Sequence, residues 1–188
     1  RYGALRKVMP ITAATFGLGY LAILGVPPFA GFYSKDKIIE TAFDSGGIQG
    51  ILLGSITLLG AGITAFYMTR VMVLTFIGTK RWDEKAHPHE SPFLMWAPMA
   101  ALAVGSVASG FLLNSGSALV NWLQPVVNAN QEYHSGHLLP PIVVSIMALT
   151  VVAIGVAIAV LKYRTVPVVA PENVLGITKA ARKDLYQD

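Results

Sequence analysis

The chain has 188 residues, of which 54% are hydrophobic and only 13% charged. A soluble domain carries about 25% charged residues, so this composition points to a membrane protein. The net charge of +4 fits basic flanks of membrane spans better than a nucleic-acid surface, and the lack of cysteine excludes thiolate-bound iron–sulfur clusters and disulfides in this chain.

Residues 1–8 form a basic flank with Arg6 and Lys7. Residues 9–44 read as one discontinuous transmembrane helix in two parts, 9–25 and 33–44. Pro27 and Pro28 remove two consecutive backbone donors and clash with the preceding turn, so the helix must break there. Gly31 follows in the break, and Ser34 is expected to cap the second part. At membrane depth, peptide groups freed by a break need protein or water as partners. The two parts measure about 25 and 18 Å, together more than the roughly 30 Å hydrocarbon core. Lys35 is therefore expected inside the membrane, in its outer half.

A turn at Asp44-Ser45-Gly46-Gly47 leads to a second span over 50–78. The loop 79–91 holds Lys80, Arg81, Lys85 and the pair His87 and His89. A third span covers 92–113. The loop 114–137 has no Lys or Arg, and its middle, Ala118 to Val127 with Trp122, is amphipathic in the manner of an interfacial helix. The fourth span is 138–161. A basic tail, 162–188, begins with Lys162 and Arg164 and ends in the start of an amphipathic helix. The reading is an all-α polytopic membrane protein with four spans. Its basic clusters fall on alternate loops and hence on one face, which the positive-inside rule makes cytoplasmic. Gly50/Gly54, Gly105/Ser109 and Gly155/Ala159 have the spacing that lets membrane helices approach closely.

Ionisable groups at membrane depth are expensive and usually face a bundle interior or a wet cavity. Asp36, Glu40 and Asp44, spaced by four, form one helical stripe leading outward from the break. Lys37 can pair with Glu40. Asp44 is better read as a solvated helix end. For Lys35 and Asp36 the favoured reading is a proton path. Burial disfavours a charged lysine and an adjacent carboxylate favours it, so a lysine held between them can load and release a proton. A second half-helix starting near Tyr33 would also bring its positive end against Lys35. Alternatively, Lys35 caps carbonyls that the prolines leave open. Arg70 either snorkels to the headgroups or pairs within the bundle. Thr64 and Tyr67 lie on the same helix as possible support. The four histidines are in loops, without a convincing metal-ligand set. No phosphate-binding loop, dinucleotide fingerprint or catalytic triad is present.

Leu5-Arg6-Lys7-Val8-Met9-Pro10-Ile11-Thr12 and Gly25-Val26-Pro27-Pro28-Phe29-Ala30-Gly31-Phe32-Tyr33-Ser34-Lys35-Asp36 closely resemble the NuoL subunit family of respiratory complex I, one of the antiporter-like membrane protein families. The resemblance continues through Tyr67-Met68-Thr69-Arg70 and more weakly into Asp184-Leu185-Tyr186. It implies a proton-translocating subunit of NADH–quinone oxidoreductase, in a bacterial plasma membrane or else the inner mitochondrial membrane. It also implies that the chain is an internal piece of a longer subunit, consistent with a start at Arg1. In that family the lysine of the Ser-Lys-Asp motif is one station of a chain of lysines, histidines and a glutamate across the membrane centre. Lys35 takes that place, with Asp36 as its neighbour. Partners are then the other membrane-arm subunits, lipid and protons, with no nucleic acid. Flavin, iron–sulfur clusters, NADH and quinone belong to other subunits, and no cofactor or metal is expected here. The alternatives are a subunit of an Mrp-type Na⁺/H⁺ antiporter or membrane-bound hydrogenase, and, from a different class, a structural membrane anchor.

Overall fold

A computed structural model describes residues 3–83, 85–127 and 139–164. The expected amphipathic start of a helix in 178–188 lies outside these residues, as do His134 and His137. Six helices carry the described chain: α1 (Pro10–Leu24), α2 (Ala30–Phe43), α3 (Gly47–Met72), α4 (Phe93–Asn114), α5 (Ala118–Val127) and α6 (Pro141–Arg164). Among the described residues there is no strand. The chain is an all-α polytopic membrane protein. Three helices, α3 with its extension to Ile77, α4 and α6, are long and apolar enough to cross a membrane, and α1 is a shorter apolar helix. At 1.5 Å per residue α1 is about 22 Å long, short of a full span, and α2 continues beyond the break.

The three long spans, α3, α4 and α6, pack around the broken helix, α1 and α2. The apolar core is Leu24 of α1, Ile39 and Phe43 of α2, Ala61 and Ala65 of α3, and Val144, Ala148 and Val152 of α6. Small residues set the helix–helix distances, as expected where lipid removes the usual hydrophobic drive between helices. A Cβ on Gly155 would lie 2.5 Å from the Gly62 carbonyl oxygen, so α3 and α6 touch backbone to backbone. Gly50 and Gly54 accommodate the backbone and ring of Phe43. Gly105 has nothing within 4 Å of an added Cβ, so its spacing to Ser109 marks no contact among the described residues. The close approach on α4 is made instead by Gly110, which rests on Ala30 and Tyr33 of α2.

Beyond Met72, α3 continues as a π-helical segment, Val73–Ile77. Phe76 packs on Phe16 of α1 with ring centroids 5.2 Å apart. Arg81 returns to donate from Nη2 to the Leu74 carbonyl at 2.6 Å. The basic loop after α3 and the N-terminal flank meet at this end, where Gly3 abuts the Thr79 carbonyl. Tyr163 of α6 lies beside Arg70 of α3. The basic residues Arg6 and Lys7, Lys80 and Arg81, and Lys162 and Arg164 therefore gather at one end of the bundle. The outer surface is apolar: Leu94, Leu102, Ile142 and Leu161 are all at least 70% exposed, which suits lipid or further helices rather than water.

Candidate functional site

The break starts with a glycine. Gly25 has φ +74°, in the left-handed region that a helix C-cap favours and that other residues enter at a cost. Its N–H donates to the Ala22 carbonyl at 3.0 Å, and the Val26 N–H donates to Leu21 at 3.2 Å. These two bonds close the last turn of α1 in the Schellman pattern. They leave the Leu24 carbonyl over. In a continuous helix its donor would be the N–H of residue 28, but residue 28 is proline and has none. Lys35 supplies the missing donor. Its Nζ sits 2.6 Å from the Leu24 oxygen, eleven residues back along the chain. A cation here also meets the negative end of the α1 dipole.

Two expectations about this region are corrected. The second half-helix begins at Ala30, not Tyr33, because the turn closes at once, with Phe29 N–H on the Val26 carbonyl at 2.9 Å. Ser34 is therefore not the N-cap. It lies inside α2, and its hydroxyl turns back toward the Ala30 and Gly31 carbonyls, each at 3.4 Å. The cap position is Phe29, which offers no side-chain hydrogen bond. Lys35 is consequently beyond the first turn of α2, outside the reach of that helix's positive end.

The tight fold of the break depends on Gly31. A Cβ there would collide with the carbonyl of Ala22 in α1. Pro27 and Pro28 are exposed and form the loop between the two halves. Asp36 follows Lys35 on α2, and its Oδ2 is buried with no hydrogen-bond partner among the described residues. One turn on, Glu40 is only 7% exposed and accepts from Lys37 Nζ at 2.7 Å. Lys37 itself reaches outward, its side chain 72% exposed. Asp36 and Glu40 thus follow one another along α2, and Asp44 is the C-cap residue at its end. Glu40 lies against the core face between Ile39 and Phe43 rather than on a solvated one.

The residues named as possible support do not join this group. The Thr64 hydroxyl donates to its own helix, to the Gly60 carbonyl at 2.8 Å. Tyr67 is 44% exposed. Arg70 is exposed too, with its guanidinium 5.3 Å from the centre of the Tyr163 ring. A hydroxyl pair links the halves of the bundle: Tyr20 of α1, which the sequence did not single out, bonds Thr69 of α3 at 2.8 Å. Tyr20 is a polar tip inside a long apolar run, which is the one local signal of it.

Glu90 was also not singled out by the sequence. Its carboxylate accepts from the Ile11 N–H at 2.8 Å and from the Thr12 N–H and hydroxyl. It thereby caps the N-terminus of α1 from a loop 79 residues away. A carboxylate suits the positive end of a helix. The Thr12 hydroxyl, followed by the backbone N–H groups of Ile11, Thr12 and Ser91, holds the Glu90 carboxyl below the usual glutamate range. A carboxyl held low contributes stability that is present above its unfolded-state value, near 4.3, and lost as pH falls through its folded value. Glu90→Ala should therefore melt at a slightly lower temperature than the parent at pH 7. The gap should close on acidification below about pH 4. Melting curves of the purified full-length protein at both pH values check this, and an equal gap at both would remove the carboxylate from the account.

A family profile described as NADH:quinone oxidoreductase/Mrp antiporter, TM matches residues 1–64, the stretch that holds the break, Lys35, Asp36 and Glu40. The chain is 60% identical over 190 residues to NADH-quinone oxidoreductase subunit L of Mycobacterium tuberculosis (strain CDC 1551 / Oshkosh), covering 100% of this chain and 30% of that protein. Over its whole length this chain matches a region of a NuoL subunit. It is also 37% identical over 186 residues to NAD(P)H-quinone oxidoreductase subunit 5, organellar chromatophore 1, of Paulinella chromatophora, covering 86% of this chain and 27% of the relative. To NADH-quinone oxidoreductase subunit L of Rhodobacter capsulatus it is 46% identical over 125 residues, covering 59% of this chain and 17% of the relative. The chain thus spans less than a third of the length of these relatives.

Proposed function

We propose that this chain is part of a proton-translocating membrane-arm subunit of NADH–quinone oxidoreductase, respiratory complex I, in a bacterial plasma membrane, and that Lys35 is a proton carrier within it. The observation that supports this most is the break itself. An ionisable amine occupies the place of a missing backbone donor, beside a carboxylate whose buried oxygen has no partner among the described residues and one turn from a second buried carboxylate. Structural capping alone would be met by a neutral donor, with no need of a charge at depth. Asp36 is the neighbour that tunes Lys35, and Glu40 is the next group outward. The unpartnered Asp36 oxygen requires a proton or a polar partner, which marks it as a place for water or for a group from the rest of the subunit.

The partners in this reading are the other membrane-arm subunits, lipid and protons. Flavin, iron–sulfur clusters, NADH and quinone are held by other subunits, so the chain contributes to a translocase without redox chemistry of its own. The second reading is a subunit of an Mrp-type antiporter, which the description of the matching profile also names. Purifying the full-length protein with its native partners separates the two. Flavin and iron–sulfur proteins should co-purify, and the preparation should reduce quinone with NADH. Their absence overturns the complex I assignment.

Orientation is part of the same proposal. The gathering of basic residues at one end makes that end cytoplasmic by the positive-inside rule, and it sends the break toward the outer side. This stretch has no cysteine of its own, so label found on its peptides reports an introduced cysteine alone. Asn130→Cys should label from the outside with an impermeant maleimide, and Glu84→Cys should be protected. The reverse pattern would invert the path assigned to Lys35.

A further inference from the structure

We propose that the basic end of the α3–α6 seam binds an anionic phospholipid, with its phosphate on Arg70 and Lys162 and an acyl chain in the groove below. The groove is an apolar cleft of about 260 Å³ between the two helices, lined by Leu59, Ile63 and Phe66 of α3 and Val151, Ile154 and Ile158 of α6. Its floor is the Gly62–Gly155 contact, where the absence of side chains leaves a furrow. From Leu59 to Phe66 the furrow runs about 10 Å along the helix axis. Arg70 lies one turn beyond Phe66 on the same face of α3, and Lys162 one turn beyond Ile158 on α6. The cations therefore stand at the end of the apolar cleft rather than elsewhere on the surface.

Tyr163 joins the two parts. Its ring lies 6.0 Å from Phe66 at the top of the groove. Arg70 stacks over it at 5.3 Å, and Lys162 approaches it at 5.8 Å. The aromatic ring orients both cations, as in other cation–π contacts, and its hydroxyl adds a further polar group. Arg164 follows at the end of α6 and is exposed. No carboxylate among the described residues pairs with Arg70, Lys162 or Arg164. Tyr163 sets Arg70 level with the basic end of α6. A phosphate at the membrane surface is the partner that the exposed guanidinium can reach there by extending along the helix. Basic pockets between membrane helices on the cytoplasmic side take anionic headgroups for this reason. Charge and groove together select a two-part ligand, a phosphate bearing an acyl tail. A free phosphate leaves the groove unexplained, and a neutral lipid leaves the cations unexplained.

The test uses the full-length protein, purified with its native partners and placed in nanodiscs. Phosphatidylglycerol and phosphatidylcholine probes carry the same photoactivatable acyl chain. Peptide mapping should place the phosphatidylglycerol probe on the 59–66 and 151–158 segments in preference to phosphatidylcholine. Arg70→Gln with Lys162→Gln should lower that preference about thirtyfold, at about fivefold for each charge near the surface. Arg70→Lys with Lys162→Arg should retain most of it, which separates loss of charge from loss of fold. Equal labelling by both probes, labelling unaffected by the Gln pair, or a groove occupied by protein crosslinks instead of lipid would each overturn the site.

Discussion

Lys35→Ala is expected to abolish proton translocation and to weaken the break as well. The two effects have separate causes. The amine is the donor that takes the place of the absent Pro28 N–H on the Leu24 carbonyl. Without it that carbonyl is buried and unsatisfied, at a cost of about 1–3 kcal/mol. The lysine is therefore a support of the fold, and not only an expense tolerated for function. Lys35→Arg separates the roles. It keeps a long cationic donor for Leu24, so the protein should assemble near the parental level. It keeps its charge at any working pH, so it should not load and release protons, and pumping should still fail. Asp36→Asn should impair pumping less, since it removes a neighbouring charge and leaves the amine in place. Proton uptake by inverted vesicles per NADH oxidised measures the function, and the amount of full-length protein assembled in the membrane measures the fold. Parental stoichiometry and rate in both Lys35→Ala and Lys35→Arg would reduce Lys35 to a cap.

The break was legible because its cause is local. Two adjacent prolines remove donors wherever they occur, and the long apolar run before them, with three more apolar spans after, shows that this happens at membrane depth. The start of α2 was less legible. Whether a helix resumes two residues after a diproline or five depends on how tightly the turn closes, and here closure is permitted by Gly31 against α1. Lys35 was recognised as ionisable and buried, but its partner on Leu24 follows only once Gly25 has folded the two halves against each other. Glu90 could not be assigned to α1 at all, since its cap joins residues 79 apart and no periodicity links a loop carboxylate to a distant helix start. The glycine pairs show a related limit. Spacing by four identifies a flat helix face and leaves open which neighbour lies on it. Gly50 and Gly54 meet Phe43, Gly155 meets α3, and Gly105 meets nothing among the described residues.

Gly31→Ala should be among the most damaging single-methyl changes in the chain. The added Cβ would collide with the carbonyl oxygen of Ala22, with the Ala22 carbonyl carbon next in line. Both atoms belong to the backbone of α1, so no flexible side chain can move aside. Relief requires α1 and α2 to separate, and overpacking of this kind costs about 1–3 kcal/mol or more. Separation would also draw Lys35 away from Leu24, so assembly and pumping should fall together. Gly19→Ala is the matched control. It lies in the same apolar helix α1, and among the described residues nothing is within 4 Å of its added Cβ. Alanine is the better helix former by about 1 kcal/mol, so this variant should melt at or slightly above the parental temperature. Thermal midpoints of the purified full-length protein, with the yield of assembled protein in membranes, compare the two. A Gly31→Ala protein as stable as Gly19→Ala and fully competent in proton uptake would show that the two half-helices need not touch, and that the geometry at Lys35 is not set by this contact.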